Sequence, residues 1–211
     1  MEDIQILAFL ITVASIVIAI TTHYMRFLKI YIIQVLLILV AFYLLHAGNF
    51  RHDIILVISF CLAIAVRLVL IPTLIYRSLN RIGGNFVERK FHVPTFYSLM
   101  IQAILMVGVF FLTQKLGVTN PIFMAWLFVL FSGLYNFLNH RKLVGDILSF
   151  LLIENGVFLI SLLVLEHLPL YIEFGIIIDI LMSVSIMLIS TSHIKEIVWN
   201  TELQELSYIK D

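Results

Sequence analysis

The chain has 211 residues, of which 62% are hydrophobic and only 12% charged, with a net charge of zero. A soluble domain is roughly 45–50% apolar and about 25% charged, so 13 basic and 13 acidic side chains cannot cover a water-exposed surface of this size. Zero net charge leaves no basic footprint for nucleic acid. A single cysteine, Cys61 inside an apolar run, excludes intrachain disulfides, thiolate clusters and iron–sulfur ligation by this chain alone.

Apolar runs long enough for a bilayer core of about 30 Å recur along the sequence. They predict an all-α integral membrane bundle of about seven transmembrane helices, at residues 4–22, 29–47, 53–76, 95–114, 120–138, 145–165 and 170–191. Apolar and polar residues do not alternate, which argues against a β-barrel; helices satisfy their own backbone in lipid. Glu2 and Asp3 precede the first run, and no small-residue cleavage site follows, so it reads as a helix rather than a signal peptide.

Lys and Arg favour the short loops that stay in the cytoplasm. The predicted first loop carries Arg26 and Lys29, the third Arg77, Arg81, Arg89 and Lys90, the fifth Arg141 and Lys142, and the tail Lys195 and Lys210. The other side has Arg51 and Lys115, a ratio of ten to two, with Arg67 left inside a span. This predicts an N-terminus outside, a C-terminus in the cytoplasm and an odd number of spans. The longest loop, about 77–94 with Gly83-Gly84, is too short for a domain, and the tail 192–211 is polar. The chain therefore reads as one membrane unit in three parts. Residues 1–94 give three helices and a cytoplasmic loop, 95–142 two central helices, and 143–211 a helix pair with the tail.

In so apolar a chain the ionisable residues at depth carry the information, because they are expensive to place there. Glu154 lies mid-way along the sixth span in Ile153-Glu154-Asn155-Gly156, about eight residues or roughly 12 Å beyond Asp146. Burial favours its protonated form and a nearby cation the carboxylate. A group balanced between the two can load and unload a proton; the plainer alternative is a neutral glutamic acid that glues helices together. Asp179 lies near the middle of the seventh span, either as a second relay carboxylate or as a hydrogen-bonded packing group. Arg67 lies in the third span, five residues before Pro72, which removes a backbone donor and opens or kinks the helix. A structural ion pair and a transport role both remain open for it. Gln34 and Gln102 read as interhelical hydrogen-bond partners. The histidines fall at or beyond span ends, with no i, i+4 pair of a helical metal site, so no metal is expected. No phosphate-binding glycine loop, Walker motif, GxSxG or Cys/His pair is present.

The stretch Leu148–Leu165 around Glu154-Asn155-Gly156 resembles the second helix of complex I subunit K, and the span with Asp179 resembles that subunit's third helix. The chain is more similar to the hydrogenase-4 component E family. That pattern of an apolar run, Glu-Asn-Gly, a short turn and a helix with Glu-x-Gly-Ile and a buried Asp appears here as Glu154-Asn155-Gly156, Glu173-Phe174-Gly175-Ile176 and Asp179. Upstream, Arg67 and Pro72 match the family's basic residue five positions before a proline, and Arg141 its arginine ahead of the Glu-Asn-Gly helix. The basic residue is lysine in the family pattern; the arginine here hardly deprotonates, which weakens a proton-carrying role for position 67 itself.

The resemblance implies a small, non-catalytic membrane-arm subunit of a complex-I-like or group 4 membrane-bound hydrogenase-type assembly in the inner membrane. Glu154 and Asp179 would supply its proton or Na+ relay, tuned by Arg67 and supported by Asn155, Pro72 and Arg141. The implied partners are antiporter-like and other complex-I-like membrane subunits and a hydrogenase-like peripheral arm. A nickel–iron site and iron–sulfur clusters would belong to those partners, with no cofactor in this chain. Two other readings compete: a structural subunit that seals the same complex, and a standalone secondary transporter. The latter favours repeat symmetry and paired broken helices; one Pro-marked span and no repeat are seen.

Overall fold

A computed structural model describes residues 2–48, 54–82, 92–140 and 143–164. These residues are almost entirely helical, with no β-strand among them. The helices are α1 (Glu2–Ile20), α2 (Tyr24–His46), α3 (Ile54–Ala63), a π-helical segment (Ile64–Leu70), α4 (Ile71–Ile82), α5 (Thr95–Lys115), α6 (Pro121–Asn139) and α7 (Leu143–Val164). The α3, π and α4 segments run on as one rod, so six helices among the described residues are long and apolar enough to cross a membrane. The chain is thus a helical, multi-pass membrane protein. The seventh predicted span, 170–191, and the tail lie outside the described residues, as do Asp179, Glu173 and Arg141.

The helix ends follow from local chemistry. Pro121 opens α6 at the position where a missing N–H costs nothing, and the Asn120 side chain accepts from the Ile122 N–H at 2.9 Å. The α5 helix closes on Gly117, which takes φ 68°. Its N–H bonds the Gln114 carbonyl at 3.1 Å and that of Val118 bonds Thr113 at 3.1 Å, a glycine-dependent stop. Arg26 and Lys29, expected in a loop, instead lie in the first two turns of α2 with their side chains exposed. Long basic side chains can leave an apolar helix sideways and keep their heads in a polar layer, so charge alone placed that boundary too late.

The pairs joined by short turns, α1 with α2, α5 with α6 and α6 with α7, run antiparallel. The start of α1 meets the α5–α6 turn, where Gln5 and Ala8 line one apolar groove with Pro121 and Met124. At the other end the strap before α5 is tied to the end of α6: the His92 and Val93 N–H groups bond the carbonyl and Oδ1 of Asn139 at 2.9 and 2.8 Å. The core lies between α1, α2, the third span, α6 and α7, around Phe27, Tyr31, Phe42, Leu151 and Phe158. By contrast, α5 shows bulky residues such as Phe96, Ile104 and Phe111 to the outside, the composition expected of a lipid-facing surface.

The α6–α7 pair is the closest. A Cβ on Gly133 would come within 2.9 Å of the Ile153 nitrogen, and one on Gly156 within 3.1 Å of the Leu130 nitrogen. Small residues let two backbones approach in lipid, where packing rather than the hydrophobic effect holds helices together. The glycine of the Glu154-Asn155-Gly156 triplet thus has a packing reason of its own. We expect Gly133→Val to destabilise the protein by about 1–3 kcal/mol, read as a lower Tm in detergent. Gly108→Val, where nothing lies within 4 Å, is expected to leave the Tm unchanged.

Candidate functional site

Pro72 has no N–H, and its ring excludes the carbonyl four residues earlier. The helix answers by widening to π geometry just before it: the Ile71 N–H bonds the Val66 carbonyl, five residues back. Wide turns of this kind inside helices are rare and cluster at functional sites. The π segment holds Arg67 and turns it inward, where it is only 4% exposed.

Arg67 meets α7 there. Its Nη1 donates to Asn155 Oδ1 at 3.2 Å, and its guanidinium lies 4.3 Å from the centre of the Phe158 ring. A cation over a desolvated aromatic face gains a favourable quadrupole interaction. Phe158 in turn packs on Phe42 at 6.2 Å between ring centres. Asn155 continues the network, its Nδ2 donating to Gln34 Oε1 on α2 at 3.4 Å. Gln34 Nε2 donates to Ser15 Oγ on α1 at 2.8 Å, and Ser15 donates to the Ile11 carbonyl at 3.1 Å. Four spans are therefore joined by one polar chain, all of it in the interior.

Glu154 is buried beside Asn155, at 7% exposure. Tyr31, on α2 one turn from Gln34 and fully buried, lies within electrostatic reach of both Arg67 and Glu154. A cation, a carboxyl and a phenol thus share a buried region at the middle of the helices. Low local dielectric strengthens each interaction in such a place and makes each unmet group costly. The arrangement can hold a proton or a small cation's counter-charge at Glu154 while Arg67 fixes the local field. Among the described residues no three His, Cys, Asp or Glu side chains gather into a metal-ligand set.

Of the residues singled out from the sequence, Arg67, Pro72, Asn155 and Glu154 come together; Asp179 and Arg141 lie outside the described residues. Gln34 acts as the interhelical partner expected of it, whereas Gln102 finds no partner among the described residues. Ser15, Tyr31 and Phe158 were not anticipated. Their signal is the 3.6-residue stripe: Ile11, Ser15 and Ile18, or Tyr24, Tyr31 and Ile38, share one buried face. His140, expected at a span end, is buried between α6 and α7, against the Asn136 carbonyl and 3.1 Å from Ser149 Oγ.

Asn155 is the hinge of the network, so Asn155→Leu removes the acceptor for Arg67 and the donor to Gln34 together. Each stranded polar group costs about 1–3 kcal/mol, and a clearly lowered Tm in detergent is the expected result. A Tm equal to wild type would mean that the network contributes nothing to stability.

No family model matches the chain. It is 26% identical over 153 residues to the uncharacterized protein Rv0085 of Mycobacterium tuberculosis, covering 70% of each chain. No solved structure matches it.

Proposed function

We propose that this chain is a small membrane-arm subunit of a complex-I-like, group 4 membrane-bound hydrogenase-type complex in the cell's inner membrane. In this reading Glu154, with Asp179, belongs to a proton or Na+ relay driven by redox chemistry in other subunits. Arg67 tunes the relay and Asn155 positions it; Pro72 and Arg141 are supporting residues. Seven spans, an external N-terminus and a cytoplasmic C-terminus complete the proposal. The resemblance to the hydrogenase-4 component E family and to complex I subunit K supplies its class.

One observation carries it. The two sequence features behind the resemblance, Arg67 ahead of Pro72 and the Glu154-Asn155-Gly156 triplet, are 88 residues apart and meet through the Arg67–Asn155 hydrogen bond. A buried arginine, in a helix opened by a π segment, bonded to the residue that follows a buried glutamate is an arrangement suited to charge movement; lipid packing alone does not ask for it. The closely packed glycines of α6 and α7 also suit a sealing subunit, and that reading differs in predicting that Glu154 is dispensable for coupling.

The partners test the proposal. A mild-detergent pull-down of this chain from its native membranes, followed by mass spectrometry, should recover antiporter-like subunits with a hydrogenase-like large subunit and iron–sulfur proteins. Recovery of the chain alone or as a homo-oligomer would contradict it and favour a standalone transporter.

A further inference from the structure

Four buried polar side chains stand apart from the Arg67 network. Ser98 and Gln102 lie one turn apart on α5, and Ser132 and Asn136 one turn apart on α6. All four are at most 1% exposed. Among the described residues, Ser98 Oγ, both amide atoms of Gln102, Ser132 Oγ and Asn136 Oδ1 have no hydrogen-bond partner. Asn136 Nδ2 does donate, to the Ser132 carbonyl at 2.8 Å, which fixes its oxygen as the open atom.

By helical rise these side chains fall within about 10 Å of depth of one another. Ser98 and Gln102 belong to the covered face of α5, and among the described residues α6 and α1 are the helices packed on it. At about 1.5 Å per residue, Gln102 lies roughly 20 Å and Ser98 roughly 26 Å from the α5–α6 turn. On the same rise, Ser132 and Asn136 lie roughly 16 and 22 Å from it. Ser15 of α1 sits about 8 Å from the opposite end of the bundle on that rise, close to the depth of Gln102 and Ser132.

Buried polar groups in a bilayer need partners. The open set mixes acceptors with obligate donors, since Gln102 offers both an oxygen and an NH2, and turning its amide over exchanges one open atom for the other. A bound cation needs oxygens only, whereas water needs donors and acceptors together. We propose that a file of internal water lies between α5, α6 and α1, held by Ser98, Gln102, Ser132 and Asn136. It connects the end of the bundle where Asn139 and His140 are buried with the layer of Ser15 and Gln34. This deepens the relay reading by naming the route by which protons reach the buried network, and it rests on that reading only for its use.

The native Cys61 is the sole cysteine, so a Cys61→Ser background makes thiol reactivity a clean probe. Ser98→Cys and Ser132→Cys change little in size, and Val129→Cys, fully buried on α6, provides the dry comparison. Native membranes carrying each full-length variant are exposed to silver ion, then denatured, and the remaining thiols are counted with a maleimide dye. A thiol in water ionises while one in apolar surroundings does not, so Ser98→Cys and Ser132→Cys should react at least about tenfold faster than Val129→Cys. Equal, slow rates at all three positions would overturn the proposal. Fast reaction at the two serine positions, together with undiminished pumping by Glu154→Gln, would leave the water file standing and remove the relay.

Discussion

Replacing Glu154 by glutamine is expected to leave the chain folded and assembled while ion pumping driven by redox turnover falls roughly a hundredfold or more, the loss typical when a positioned proton carrier is removed. Glutamine has the shape of glutamic acid but cannot take up or release a proton. It also costs less to bury than a carboxylate, so the packing around a side chain only 7% exposed should survive. The measurement is acidification or sodium uptake by reconstituted vesicles, normalised to the amount of assembled complex. Pumping at the wild-type level would assign Glu154 to helix packing and leave the sealing reading in its place.

Arg67→Met should be nearly as damaging, and for a different reason. Methionine fills much of the same space, but it removes the donor to Asn155, the cation over Phe158 and the positive charge felt by Tyr31. The lost charged hydrogen bond alone is worth about 1.5–3 kcal/mol, so a lower Tm in detergent should accompany the loss of pumping. Arg67→Lys separates the two effects. Lysine keeps the charge but loses the planar, forked geometry that reaches Asn155 and stacks on a ring. Most of the pumping should then persist while the Tm still falls. If Arg67→Lys pumped no better than Arg67→Met, geometry rather than charge would be the residue's contribution.

Much of this fold was legible because a bilayer imposes one strong rule: long apolar runs become helices. The six described spans coincide with the predicted ones to within a few residues. The largest differences are at α4, which runs on to Ile82 rather than 76 and so carries Arg77 and Arg81 on the helix, and at α2, which begins at Tyr24 rather than 29 because the exposed Arg26 and Lys29 sit on the helix itself. Pro72 announced a disturbance in the third span. Its form, a π segment from Ile64 to Leu70 that turns Arg67 inward, depends on a backbone choice that no residue type encodes. Arg67 and Glu154 were visible as costly residues at depth and Asn155 as the middle of the Glu154-Asn155-Gly156 triplet, but how they would be connected was not. Gln34 was expected to bond across helices, but Ser15 looks like an ordinary helix residue until the packing of α1 and α2 brings it to Gln34 and Gln34 to Asn155. The reason for Gly156 was equally hidden, since it depends on how closely Leu130 of another helix approaches.

A relay requires that Glu154 change its protonation state as the partner subunits turn over. Redox-difference infrared spectroscopy of the assembled complex in native membranes observes that directly, through the C=O stretch of a protonated carboxyl group. A band that appears or vanishes between the oxidised and reduced states, and is missing in Glu154→Gln, is the predicted result. A difference spectrum that is the same with and without the glutamate would contradict the relay.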